Sequence, residues 1–118
     1  MSNSWYKTSY AIPKENRAGN AFEAAIDYML NASLLENRKN LVLVHGKVVG
    51  QGPIKGITYM HAWIEDGDEV IDVSDGKNIK MSKFLYYSIG NVSETHKYTV
   101  DRMKNQIMKF QTMGPWTV

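Results

Sequence analysis

One stretch constrains this chain more than any other: Tyr59-Met60-His61-Ala62-Trp63-Ile64-Glu65-Asp66-Gly67-Asp68-Glu69-Val70-Ile71-Asp72-Val73. Two alternating segments flank Asp66-Gly67. Such a pattern reads as a β-hairpin, because a two-residue turn needs positive φ and an Asp-Gly pair supplies it readily. With Asp66 and Gly67 as the turn, Glu65 faces Asp68, Trp63 faces Val70 and His61 faces Asp72. Directly opposed residues share a face of the sheet, with Cβ atoms roughly 5 Å apart. The hairpin is therefore expected to set an imidazole beside a carboxylate. These are a base and the group that orients it, two of the three parts of a nucleophilic triad.

Composition narrows the classes. A chain of 118 residues is the size of one domain and long enough to bury a core without disulfides or metal. Its net charge of +2 gives no electrostatic reason to expect nucleic acid or an anionic membrane as partner. No apolar run is long enough to span a membrane, and the polar N-terminus lacks the apolar core of an export signal. The expected setting is the cytoplasm. There is no cysteine, which excludes thiolate metal sites and a thiol nucleophile in the chain as written. His45, His61 and His96 fall on three separate segments without paired ligand spacing, so no metal is expected, and no glycine pattern for phosphate or dinucleotide is present. No cofactor is expected. Lys77, Lys80 and Lys83 near Tyr86 and Tyr87 could bind a nucleic acid or a phosphate, but a solvated face is the commoner explanation for such a cluster.

In chain order, residues 1–19 form a polar arm with scattered aromatics. Asn20 is suited to cap a helix, with Glu23 completing a capping box. Phe22, Ala25, Ile26, Met29 and Leu30 then recur at helical spacing to about Leu35. Leu41 to Val49 reads as a central strand, and Gly50 to Gly56 as a glycine-rich loop. Ser82 to Ile89 reads as a short helix closed by Gly90. A brief strand is expected near residues 97–99, then a last helix from Val100 to Met113, capped by Thr99 and ended by Gly114 and Pro115. The expected class is α+β: an N-terminal helix on a mainly antiparallel sheet, with a C-terminal helix. The parts are the arm (1–19), a helix and hairpin core (20–75) and a helical C-terminal part (76–118).

Three segments carry a resemblance. Gly19-Asn20-Ala21-Phe22-Glu23-Ala24-Ala25 resembles the helix opening that bears the cysteine in papain-like and transglutaminase-like thiol hydrolases. His61-Ala62-Trp63-Ile64-Glu65 resembles their histidine strand, and Val70-Ile71-Asp72 the strand with the third residue. Leu43-Val44-His45-Gly46, Gly50-Gln51-Gly52-Pro53 and Leu85-Tyr86-Tyr87-Ser88-Ile89-Gly90 are similar to segments of small bacterial and phage proteins of that type. The resemblance implies a peptidase or amidase with a Cys-His-Asp triad, acting on a peptide or protein, such as a host protein if the gene is phage-borne.

The departure is Ala21, where the group has cysteine. Three readings stand: a Cys→Ala replacement that inactivates an enzyme, a natural pseudoenzyme that captures a peptide or host protein without cutting it, or an ordinary helix former. His61 and Asp72 are the other catalytic candidates, set against a plain structural pair. Gln51 is a candidate oxyanion donor, with the backbone N–H of residue 21 as the second. Trp63 is a candidate cleft wall or a packing residue, His45 a pocket or core residue, Asn20 a cap more than a catalytic group. Asp75, beside Gly76, competes with Asp72 as the weaker choice.

Overall fold

The structure, a computed structural model, describes residues 17–50, 53 and 55–116, with the backbone alone at 17–20 and 75. It is α+β. Helix α1 (Arg17–Leu35) is followed by strands β1 (Val42–Val49), β2 (Thr58–Asp66) and β3 (Glu69–Asp72). A 3-10 turn (Ser74–Gly76) leads to β4 (Ile79–Ser82), helix α2 (Lys83–Gly90), β5 (Ser93–Tyr98) and helix α3 (Val100–Phe110). The five strands form one sheet in the order β4-β3-β2-β1-β5, every neighbouring pair antiparallel.

Both faces of the sheet are covered, by different means. On one face Phe22, Ala25, Ile26 and Met29 of α1 pack on Leu43, Ala62, Ile64 and Ile71, joined by Tyr98, Met103 of α3 and Trp116. On the other, Val44, Val48, Trp63 and Val70 lie beneath Tyr86 and Tyr87 of α2. Period-two alternation sorts the strand residues between these layers. His61, Trp63 and Glu65 therefore lie on the α2 face, and Ala62 and Ile64 on the α1 face.

The hairpin forms with a different turn. Asp66 pairs with Glu69, Glu65 with Val70 and Ile64 with Ile71. Gly67 and Asp68 are thus the central residues, and only Gly67 takes a positive φ, +61°. A turn that needs positive φ at its first central position alone places its glycine there, as in type II′. Relative to the pairing read from the sequence, the register is displaced by two residues. A displacement of two keeps every side chain on its face, so His61 and Asp72 become diagonal neighbours on the same side.

Other boundaries move for local reasons. Helix α1 already includes Arg17 and Ala18, good helix formers, so Asn20 lies within the helix and is not its cap. Helix α2 begins one residue later than the sequence reading has it, with Ser82 as its cap, whose Oγ accepts from the Leu85 N–H at 3.2 Å, and it ends on Asn91 in the left-handed region, not on Gly90. Helix α3 is capped by Thr99 and stops three residues early, at a left-handed Gln111. Strand β4, absent from the sequence reading, pairs with β3 and carries no continuous apolar run.

After α3 the chain returns over the α1 face. Gly114 sits at φ +100°, and a Cβ there would stand 2.7 Å from His45 Cε1. The conformation and the close approach both require glycine. Gly114→Ala is expected to lower stability by about 1–3 kcal/mol, read as a reduced denaturation midpoint with unchanged m-value, whereas Gly67→Ala, whose added Cβ meets nothing within 4 Å, bears only the cost of its positive φ.

Candidate functional site

The α2 face carries a row along β2: Tyr59, His61, Trp63 and Glu65. His61 and Asp72 meet as a pair, with Nε2 3.0 Å from Asp72 Oδ2. The Tyr86 hydroxyl donates to the same oxygen at 2.7 Å. The other oxygen, Oδ1, accepts from the Ser74 N–H at 2.9 Å and from the Ser74 Oγ at 2.7 Å. Asp72 is 7 % exposed, so its charge has little water to solvate it. Burial alone pushes its carboxyl up, but the hydrogen bonds and charge of His61, with those of Ser74, outweigh it and hold the group well below the usual carboxylate range. Asp72 is therefore ionised and accepts only.

That fixes the imidazole. Facing an acceptor-only carboxylate, Nε2 carries a proton, so that whenever the imidazole is neutral its lone pair is on Nδ1. Nδ1 is buried and has no hydrogen-bond partner among the described residues. Gly46 lies directly opposite His61 on β1. A Cβ at Gly46 would come within 2.9 Å of Trp63 Cη2 and 3.1 Å of Thr95 Cγ2.

Trp63 is fully buried, its ring 5.1 Å from Tyr86 and 6.1 Å from Tyr87, centroid to centroid. It is a packing residue beneath α2, not an exposed cleft wall. Its paired residue on β1 is Val44; Val70 of β3 pairs with Glu65 instead of Trp63 but lies in the same buried cluster. Its indole N–H donates to Glu65, which also accepts from the Tyr87 hydroxyl. Adjacent tyrosines of one short helix thus reach two different buried carboxylates, and burial with those carboxylates pushes both phenols well above their ordinary range.

Ala21 is buried near the start of α1, on the helix that packs against the opposite face. Arg38 fixes the direction of that helix: it binds the Tyr28 hydroxyl at 3.1 Å and the Asp66 carboxylate at 2.8 Å, so the C-terminal end of α1 lies by the hairpin turn. Helix α1 packs on β2 and on the Ser74–Gly76 turn that follows Asp72. The described contacts join His61 to Asp72; none of them joins either to Ala21. The residue-21 N–H is four residues inside the helix, where the α-helical pattern directs each N–H to the carbonyl four residues back, unlike the free oxyanion donor expected from the sequence. Gln51 lies outside the described residues, as do the side chains of Asn20 and Asp75.

His45 takes its alternative role, in the core. It is 1 % exposed on the α1 face, its ring centroid 4.7 Å from Phe22 and 4.9 Å from Trp116. Sequence reasoning missed Ser74 and Tyr86. The Asp-x-Ser spacing of residues 72–74 is a recognisable side-chain turn signal for Ser74. For Tyr86, only its place in an aromatic pair on a short helix was available. Against known families, curated proteins and solved structures alike, the chain finds no match. Among the described residues no group of side chains is arranged to hold a metal ion, and no helix is long and apolar enough to cross a membrane.

Burial, with the nearby His96, pulls the His45 imidazole down to about 4, and neither of its nitrogens has a partner among the described residues. The unfolded chain takes up this proton near 6.5, the fold only near 4, so stability contributed by neutral His45 falls as pH drops between those values. The loss by pH 4 is of order 3 kcal/mol. Urea denaturation from pH 7 to 4 is expected to show this decline in the parent, and a flatter profile in His45→Gln. Asp72→Ala, which strands the His61 and Tyr86 donors, is expected to cost about 3–5 kcal/mol at pH 7 by the same measurement.

Proposed function

We propose that the chain has the scaffold of a small thiol hydrolase of peptidase or amidase type, with Ala21 standing at the position of the nucleophile. The observation that carries this reading is the state of His61. Its Nε2 is committed to an ionised Asp72, and its Nδ1, the basic nitrogen, is buried without a partner among the described residues. A buried polar atom left unpaired costs roughly 1–3 kcal/mol. A thiol would give Nδ1 a proton donor.

A cysteine at position 21 would stand on the α1 side of the sheet, so the reaction requires its Sγ to reach Nδ1 past the end of β3 at Asp72; its proton would then pass to Nδ1 and the thiolate would attack the carbonyl carbon of an amide. Asp72 would stabilise the imidazolium, and Nδ1 would then protonate the leaving amine. Water would release the acyl group from sulfur. Ser74 and Tyr86 would act through Asp72, holding its carboxylate in place. The substrate class is a peptide or protein amide, and the proposed setting is the cytoplasm, that of a host if the gene belongs to a phage. As written, with alanine at position 21, the chain supports a second reading, a module that binds such a peptide and does not cut it.

Ala21→Cys provides the test. Its alkylation rate, followed against pH, is expected to show a thiol pKa lowered from about 8.5 to about 6.5 or less, returning toward 8.5 when His61→Ala is added. A thiol that titrates near 8.5 in both proteins would overturn the hydrolase reading and leave the binding module.

A further inference from the structure

Four residues along β2 from His61, about 13 Å at strand rise, the α2 face carries its second buried carboxylate. Glu65 is 4 % exposed. Its Oε2 accepts from the Trp63 indole and the Tyr87 hydroxyl. Its Oε1 faces two ammonium groups, Lys97 at 3.3 Å and Lys83 at 3.7 Å. Burial alone would push this carboxyl up, but the tyrosine, tryptophan and Lys97 together hold it below its ordinary value. Both oxygens are engaged, and one negative charge is shared by two positive ones.

Beside this cluster opens a cleft of about 670 Å³, lined by Lys83, Lys97, Phe84 and Tyr87. The two lysine side chains are 36 % and 46 % exposed. Each ammonium has three donors, so each keeps donors for a ligand beyond the Glu65 contact. At the rim the Ser88 hydroxyl donates to the Phe84 carbonyl, whereas the Ser82 Oγ accepts from the Leu85 N–H as the cap of α2, a bond that leaves its own O–H as a further donor toward the cleft. Asp68, also lining the cleft, adds a negative charge that opposes a dianion more than a monoanion. The Phe84 ring is 81 % exposed, and Leu85 and Ile89 continue its apolar surface at 50 % and 53 %.

We propose that this cleft is a peptide-binding site. It holds a single carboxylate between Lys83 and Lys97 and lays the adjoining apolar side chain on Phe84. The donors that Lys83 and Lys97 keep beyond Glu65 bind the anion, Asp68 opposes a second negative charge on it, and the exposed Phe84 takes the apolar neighbour. This goes beyond the hydrolase reading and does not rest on a nucleophile at position 21.

The test is a titration of the full chain, isotope-labelled for amide NMR, with N-acetyl-leucine, N-acetyl-leucinamide and phenyl phosphate. N-acetyl-leucine is expected to shift the amides of Lys83, Phe84 and Lys97 saturably. The uncharged amide is expected to bind about tenfold more weakly, the worth of one charge-assisted hydrogen bond. Lys97→Gln should weaken the acid severalfold, and Lys97→Arg should keep it. Equal binding of acid and amide overturns the proposal. So does tighter binding of phenyl phosphate, which would make the site a phosphate site. Shifts of the same residues with protein concentration alone would assign the face to a second copy. The absence of saturable shifts up to about 50 mM, a generous limit for a ligand this small, also rejects it. None of these outcomes bears on the thiol titration of Ala21→Cys.

Discussion

A charge taken out of water organises this molecule. Asp72 is buried and ionised, and such a group persists only if hydrogen bonds replace its hydration. The replacements come from three places in the chain: His61 on β2, Ser74 just beyond β3 and Tyr86 on α2. Each donor fixes its own element. The imidazole is held in one tautomer, the chain after β3 is curled into a short turn, and α2 is drawn down onto the sheet. Glu65 repeats the device with Trp63, Tyr87 and two lysines. Helix α2 buries no residue completely. Its placement owes as much to two phenol–carboxylate hydrogen bonds as to the tyrosine rings on Trp63.

The two layers of the protein therefore obey different chemistry. The α1 layer is an apolar core in the ordinary sense, where area removed from water dominates. His45 is its one buried histidine, and it survives there by remaining neutral. The α2 layer is a polar network under a partly exposed apolar helix. Side chains that do chemistry belong in the second kind of environment, where donors and acceptors are fixed before a substrate arrives.

Much of this was legible in the sequence. The amphipathic stripe from Phe22 to Met29, the β-branched run of β1 and the cap at Thr99 each follow from local rules, and together they give an α+β fold. The His61–Asp72 pairing was legible in kind but not in register. Asp66-Gly67 and Gly67-Asp68 are both acceptable turns, and the choice depends on how β3 pairs with β4 as well as with β2. The face survived that error because sheet alternation has a period of two. Tyr86 was not legible as a partner of Asp72, since 14 residues separate them and no local pattern spans that distance. Nor was the start of α1, because a good capping residue such as Asn20 is also tolerated inside a helix when its predecessors are helix formers.

Gly46 gives the site a dimension that none of its polar residues controls. It stands across from His61 on the neighbouring strand, and the volume its side chain would fill is already taken by the edge of Trp63 and the methyl of Thr95. The imidazole is thus bordered on the β1 side by an indole that leans into borrowed space. A single methyl added on β1 would work as a wedge: carrying neither charge nor donor itself, it would displace Trp63 and through it the indole bond to Glu65 and the seats of Tyr86 and Tyr87. The spacing between the two layers at the site is set from the adjacent strand by the smallest side chain available.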